Sequence, residues 1–197
     1  SSCCQRASAE IMRAVLSLLL TVPVAHALSP IHTAIEANDP TAVRAALSDG
    51  ADIDESGDEG ETPLMAAVRA DKLRAAAALM KMGADATVRG ADGLTPLHVA
   101  AHRGNGKIVR MLLRYDADAR DIHSDGLTPF HRACAGAEAG HTDAVFAFLD
   151  TGIEADLRTA DGRQPMELSS KNANTRKLLA EALQEKRQRQ RQPATWF

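Results

Sequence analysis

The sequence predicts an all-α solenoid of about five helix-pair units joined by short β-hairpin loops. Three observations predict it. The pair Thr-Pro recurs as Thr62-Pro63, Thr95-Pro96 and Thr128-Pro129, each 33 residues from the next. A second marker keeps the same phase: Gly50-Ala51-Asp52, Gly83-Ala84-Asp85 and Asp116-Ala117-Asp118 each fall 21 residues after a unit start. A third closes the units, as Asp92-Gly93, Asp125-Gly126 and Asp161-Gly162. A fixed period of this length is the mark of a stacked repeat. Composition agrees: the chain is 45% hydrophobic but only 3% aromatic, so alanine and leucine carry the apolar content and favour close-packed helices.

The frame extends in both directions. Thirty-three residues before Thr62 stands Ser29-Pro30, and 36 residues after Thr128 stands Gln164-Pro165. The units are therefore 29–61, 62–94, 95–127, 128–163 and 164–184, the repeat region starting at residue 28. In the first four, Thr or Ser offers an N-cap oxygen, and in all five Pro takes the first helical position, where its missing N–H costs nothing. A short first helix follows, such as LHVAA, whose alanines allow close approach. The second helix carries an apolar stripe, Ile108, Val109, Leu112 and Leu113 in unit three. Gly50, Gly83 and Gly152 suit a left-handed C-cap, and Asp116 is a tolerable substitute. Asp-Gly before the next Thr-Pro makes the hairpin turn.

These stretches, TPLHVAA, GADATVRGADGLTP, DGLTPFHRAC and GHTDAVFAFLDTG, resemble ankyrin repeats over about residues 29–183. Unit one departs with SPIH and an acidic loop, DIDESGDEGE. Unit two has Met65 where the family has His, unit four carries an insertion around Ala137–Ala139, and unit five begins QPME and has no following hairpin, as a C-terminal cap would.

His98 and His102 are four residues apart on one helix, a spacing that zinc sites also use. The register separates them. His98 has phase-mates His32 and His131, the family's TPLH histidine, and the resemblance implies a structural ring bonding between loops. His102 has counterparts Glu36, Arg69 and Ala135, so that position reads as surface. Cys134 reads as buried packing, and His141 as the structural histidine opening a second helix. The acidic run from Asp52 to Glu61 lacks the full register of a calcium loop and reads as a solvated hairpin. The sequence offers no seat for catalysis, no metal site and no cofactor.

Charge is nearly balanced at −3, with pI about 6.2, and nothing global suggests nucleic acid. The basic run EKRQRQRQ opens a polar tail, 185–197, that continues the last helix and reads as a frayed end. Trp196 has no assigned role. Residues 1–27 form a leader. Arg13, an apolar run from Ala14 to Val24, and Ala25-His26-Ala27 have the grammar of a secretory signal starting at Met12 and cut after Ala27. The alternative for the same residues is a capping helix on unit one.

The resemblance implies a non-enzymatic module that binds another protein on the concave face and hairpin tips, as a monomer. The expected surface comprises Asp58, Glu61, Leu94 and Leu127 on the tips, Arg69, His102 and Arg103 on the inner helices, and Tyr115 at an outer-helix end. Leu94 and Leu127 stand out as apolar residues where exposure is expected. The expected location is periplasmic or secreted, with no stable membrane insertion once the leader is cut; the alternative is a cytoplasmic scaffold or regulator capped by its own N-terminal helix.

Overall fold

The computed structural model describes residues 29–57 and 60–191, the last without its side chain. The leader, Asp58, Glu59 and Trp196 lie outside the described residues. Helices come in pairs: α1 (Pro30–Glu36) and α2 (Pro40–Ser48), α3 (Pro63–Arg69) and α4 (Leu73–Lys81), α5 (Pro96–His102) and α6 (Gly106–Arg114), α7 (Pro129–Ala135) and α8 (Ala139–Asp150). The fifth pair is α9 (Pro165–Leu168), a 3₁₀ turn (Ser169–Lys171) and α10 (Ala173–Arg191). The first helices of the pairs pack in one row and the second helices in a parallel row.

The caps follow the sequence. Thr62, Thr95 and Thr128 each accept, at Oγ1, the backbone N–H three residues on, at 3.3, 3.5 and 3.4 Å. Ser29 differs: its hydroxyl makes no such bond and pairs instead with His32 Nδ1 at 2.7 Å. Gly50, Gly83, Gly152 and Asp116 all have positive φ at the ends of the outer helices, as their register requires. The loops are tight hairpins, each closed by one bond between arms and one turn bond. In unit two these are Gly90 N–H to Leu94 O and Gly93 N–H to Gly90 O, at 3.0 and 2.8 Å. No extended strand occurs among the described residues.

The core lies between the two rows. Leu64, Leu97 and Phe130 come from the inner row; Leu79, Ile108, Leu112 and Phe148 come from the outer row, all inaccessible to solvent or nearly so. Each side chain of this size contributes about 1.5–3 kcal/mol on burial. Ala67, Ala76, Ala100, Ala133 and Ala144 are also fully buried, which is how the helices come so close. In unit four Phe130 and Phe148 meet edge to face at 6.0 Å. The insertion there becomes extra helix: α8 is 12 residues long, against nine for α6. The last helix continues through the basic run to Arg191, and Lys186 Nζ is held by Glu154 and Asp156 at 2.8 Å each. The start of the expected frayed tail is thus tied to hairpin four, because its ammonium reaches two carboxylates there.

A polar ladder joins the units along the turns between paired helices. Asn38 Oδ1 accepts the N–H groups of Arg74 and Ala75 at the start of α4, a helix whose own N-cap residue, Lys72, supplies no side-chain cap. One unit later Asp71, the counterpart of Asn38, accepts instead from the side-chain amide Nδ2 of Asn105. His141 Nε2 donates to His102 O at 2.9 Å, and Asn172 Nδ2 to Glu138 O at 3.0 Å.

The His141 ring fills this seam, and Gly104 lies directly beneath it. Gly104 has φ +68°, and a Cβ there would stand 2.5 Å from His141 Nδ1. Gly104→Ala combines a left-handed backbone penalty with a displaced ring, so it should cost about 2–3 kcal/mol, read as a lowered urea midpoint.

Candidate protein-binding surface

The face built from hairpins and inner helices gathers most of the expected residues. Arg69, His102 and Arg103 are exposed at the end of their inner helices. Glu36 and Ala135, the counterparts of His102, are exposed as well, so this position faces outward in four successive units. The structure brings two expected residues together: Arg69 Nη2 lies 2.5 Å from Glu61 Oε1 and 3.4 Å from Asp92 Oδ2. These charges largely neutralise one another. Tyr115, 41% exposed, caps the outer helix α6 and therefore belongs to the opposite side. Asp58 lies outside the described residues.

Leu94 and Leu127 are corrections. Both are half-buried rather than exposed, and Leu94 packs against the core. The reason is local. Each immediately precedes the Thr-Pro cap, where the chain turns inward to start the next helix. Each backbone N–H is also held by the turn aspartate, Leu94 by Asp92 Oδ1 and Leu127 by Asp125 Oδ1, both at 3.0 Å. The apolar residue that the hairpins do present is Ile122, 58% exposed. The sequence carried a signal for it: Ser56, Arg89, Ile122 and Arg158 share one register position, and only Ile122 is apolar.

Its neighbours in register are ordered. Arg89 folds over its own hairpin, donating to Gly93 O at 2.9 Å and to Asp121 Oδ1 at 2.6 Å. Arg158 does the same with Gly162 O at 2.8 Å. Successive hairpins touch: His123 Nε2 lies 3.0 Å from Asp92 O, and Ala160 N–H donates to Gly126 O at 3.1 Å. Ile122 therefore sits on a row of braced loops rather than on a loose tip.

Beneath that row lie the scaffold histidines. His131 shows the role in full. Its Nε2 meets the Leu157 carbonyl at 2.8 Å; a carbonyl only accepts, so Nε2 carries the proton. Nδ1 then accepts from the Thr128 hydroxyl at 2.9 Å and from the Thr128 backbone N–H at 3.3 Å, the second bond completing a reciprocal capping box. His98 repeats the inner half, with Thr95 Oγ1 at 2.8 Å from Nδ1, but its buried Nε2 makes no protein hydrogen bond. Asp121 Oδ2 lies 3.8 Å from His98 Nδ1, and the His123 ring stands 6.0 Å away. In unit two Met65 takes the place of the ring and lies against Gly90. His98 is thus wholly buried while His102 is exposed, and the two do not share a site. Cys134 is buried, and burial pushes its thiol up, away from a reactive thiolate.

A family model described as "Ankyrin repeats (3 copies)" matches residues 3–90 and 79–159. This chain belongs to the ankyrin-repeat family. No curated protein matches it. Ankyrin repeats serve generally as protein–protein interaction modules and are typically non-enzymatic.

Burial pulls the His98 imidazole down to about 4, with the Asp121 carboxylate opposing and the Arg132 guanidinium assisting. The folded domain therefore holds His98 neutral, while the unfolded chain protonates it near 6.5. A depressed histidine favours the folded state above pH 6.5, and that contribution is lost as pH falls toward 4. Stability should drop by about 2 kcal/mol between pH 7.5 and pH 5 from this residue. Urea midpoints at the two pH values should show a smaller drop for His98→Gln than for the wild-type chain.

Proposed function

We propose that this chain is a non-enzymatic binding module for another protein, which it holds on the hairpin row and inner helices of units two to four. The observation that carries this is Ile122: a large apolar side chain, exposed, on a hairpin tied to the one before it by Arg89–Asp121 and to the one after it by Ala160 N–H to Gly126 O. An apolar anchor on a rigid surface gives up little conformational entropy on binding, which is how binding energy concentrates in a few residues. Around it, Arg69, His102 and Arg103 supply polar contacts that tune specificity and association rate. The Arg69–Glu61–Asp92 cluster is largely self-neutralised and acts as rim. Tyr115 takes no part in this face.

Export is the proposed location. Its support is the leader itself: Arg13, the apolar run to Val24, and small residues at 25 and 27 immediately before the first unit. One observation favours the second reading, a retained capping helix. The family match begins at residue 3, so part of the leader already aligns with repeat sequence. A stacked repeat needs such a neighbour to cover its end.

Three measurements test these readings. Ile122→Asp should abolish capture of proteins that the wild-type chain retains, with the unfolding midpoint unchanged within about 0.5 kcal/mol. Leu94→Ala, in contrast, should cost about 1–2 kcal/mol of stability, because it removes packed side-chain volume. Normal capture by the Ile122 variant would place the binding face elsewhere. Intact mass and N-terminal sequencing of the protein from its native cell address the leader: a chain starting at Leu28 supports export, and a chain retaining residues 12–27 supports the cap.

A further inference from the structure

The outer helices α4 and α6 lie side by side and repeat the same register 33 residues apart. Arg74 is thereby in register with Lys107, Lys81 with Arg114, and Met82 with Tyr115, while Arg110 projects between the ends. All seven are exposed. At 1.5 Å rise per residue, Arg74 and Lys81 stand about 10 Å apart along the axis, and neighbouring helices lie about 10 Å apart. Five cations therefore share one small face. Neither α4 nor α6 contains an acidic residue, and none of the five makes an ion pair among the described residues. On the hairpin side more of the cations find carboxylates: Arg69, Arg89, Arg132 and Arg163 are each paired, whereas Arg158 bonds to a backbone carbonyl.

Helix stability does not account for the pattern. Cations in the last turn, Lys81 and Arg114, complement the helix dipole, but Arg74 and Lys107 stand in the first turn, where a cation is unfavourable. Carboxylates border the face: Asp39, Asp71 and Asp143 near the helix starts, Asp49 and Asp150 at the ends of the flanking outer helices, and Asp116 just past Tyr115. The open cleft at that rim, about 300 Å³ and lined by Asp71, Arg103, Lys107 and Asp143, carries both signs and does not select an anion. At the other edge the cations border Met82 and Tyr115, exposed apolar side chains in line with each other.

We propose that this face docks peripherally on the anionic headgroups of a lipid bilayer, leaving the hairpin face free for its protein partner. Side-by-side helices present cations to a flat surface, where several lysines and arginines act together on a negative potential. Tyr115 and Met82 lie where an interfacial ring and a thioether enter the headgroup layer. No helix among the described residues is long and apolar enough to cross a membrane, so the contact is with the surface.

The test is co-sedimentation of the full chain with phosphatidylcholine vesicles containing roughly one quarter phosphatidylserine, at about 0.1 M salt. The wild-type chain should bind these vesicles, and should be released by about 0.5 M salt and by pure phosphatidylcholine. Combining Lys81→Glu, Arg110→Glu and Arg114→Glu should weaken binding about tenfold or more. The corresponding glutamine triple substitution, which spares the helix ends a reversed charge, should weaken it in the same direction. Ile122→Asp should bind vesicles as the wild type does, which separates this proposal from the one above. Wild-type protein that ignores anionic vesicles, binds neutral ones equally, or is unaffected by both triple substitutions would overturn it. So would binding to duplex DNA or polyglutamate in the absence of vesicle binding.

Discussion

A helix pair of this size cannot bury its own apolar residues, and everything in this fold follows from that deficit. Leu64, Leu97 and Phe130 in the inner row, and Leu79, Ile108 and Phe148 in the outer row, become inaccessible only because a neighbouring pair lies against them. The alanines do the complementary job. Ala67, Ala100 and Ala133 recur at the same place in successive inner helices and are fully buried, so the rows close to contact distance without bulky side chains.

Apolar stacking alone would leave the units free to slide, and the polar ladder fixes their spacing. The turns between paired helices leave backbone groups unsatisfied, and a side chain from the adjacent unit meets one or two of them. Asn38 reaches forward to cap α4, whereas His141 and Asn172 reach back to carbonyls of the preceding unit. The close fit of His141 against Gly104 shows how little room this seam leaves. Because each bond crosses a unit boundary, the ladder couples neighbours and favours cooperative behaviour over independent melting of units.

The same rigidity sorts the surface into two faces with different charge habits. On the hairpin side four arginines are paired with carboxylates and the loops are braced by one another, leaving Ile122 as an exposed apolar point on a firm support. On the outer helices of units two and three the five cations are exposed and make no ion pair among the described residues. One histidine position illustrates how the interior tolerates variation. His131 completes both of its bonds, His98 one, and Met65 fills the space with a flexible thioether. The scaffold requires the threonine cap and the packed volume more than it requires the ring.

The repeat frame, the helix starts, the left-handed C-caps and the hairpin turns were all legible in the sequence, because they depend on residues a few positions apart. Thr-Pro sets a cap within one turn, and Gly or Asp at the helix end meets its backbone requirement locally. Register, read with the family resemblance, also identified His98 as scaffold and the His102 position as surface. The exposure of Leu94, Leu127 and Ile122 was not legible in the same way. Whether a loop side chain points inward depends on where the next unit places its helix and on which hairpin leans against it. The pairing of Arg69 with Glu61 and Asp92, the hold of Glu154 and Asp156 on Lys186, and the absence of partners for the outer-helix cations among the described residues also join or separate groups across units. Sequence determined the repeating element; tertiary stacking decided which of its side chains remain free to meet another molecule, because exposure belongs to the assembled rows and not to any single unit.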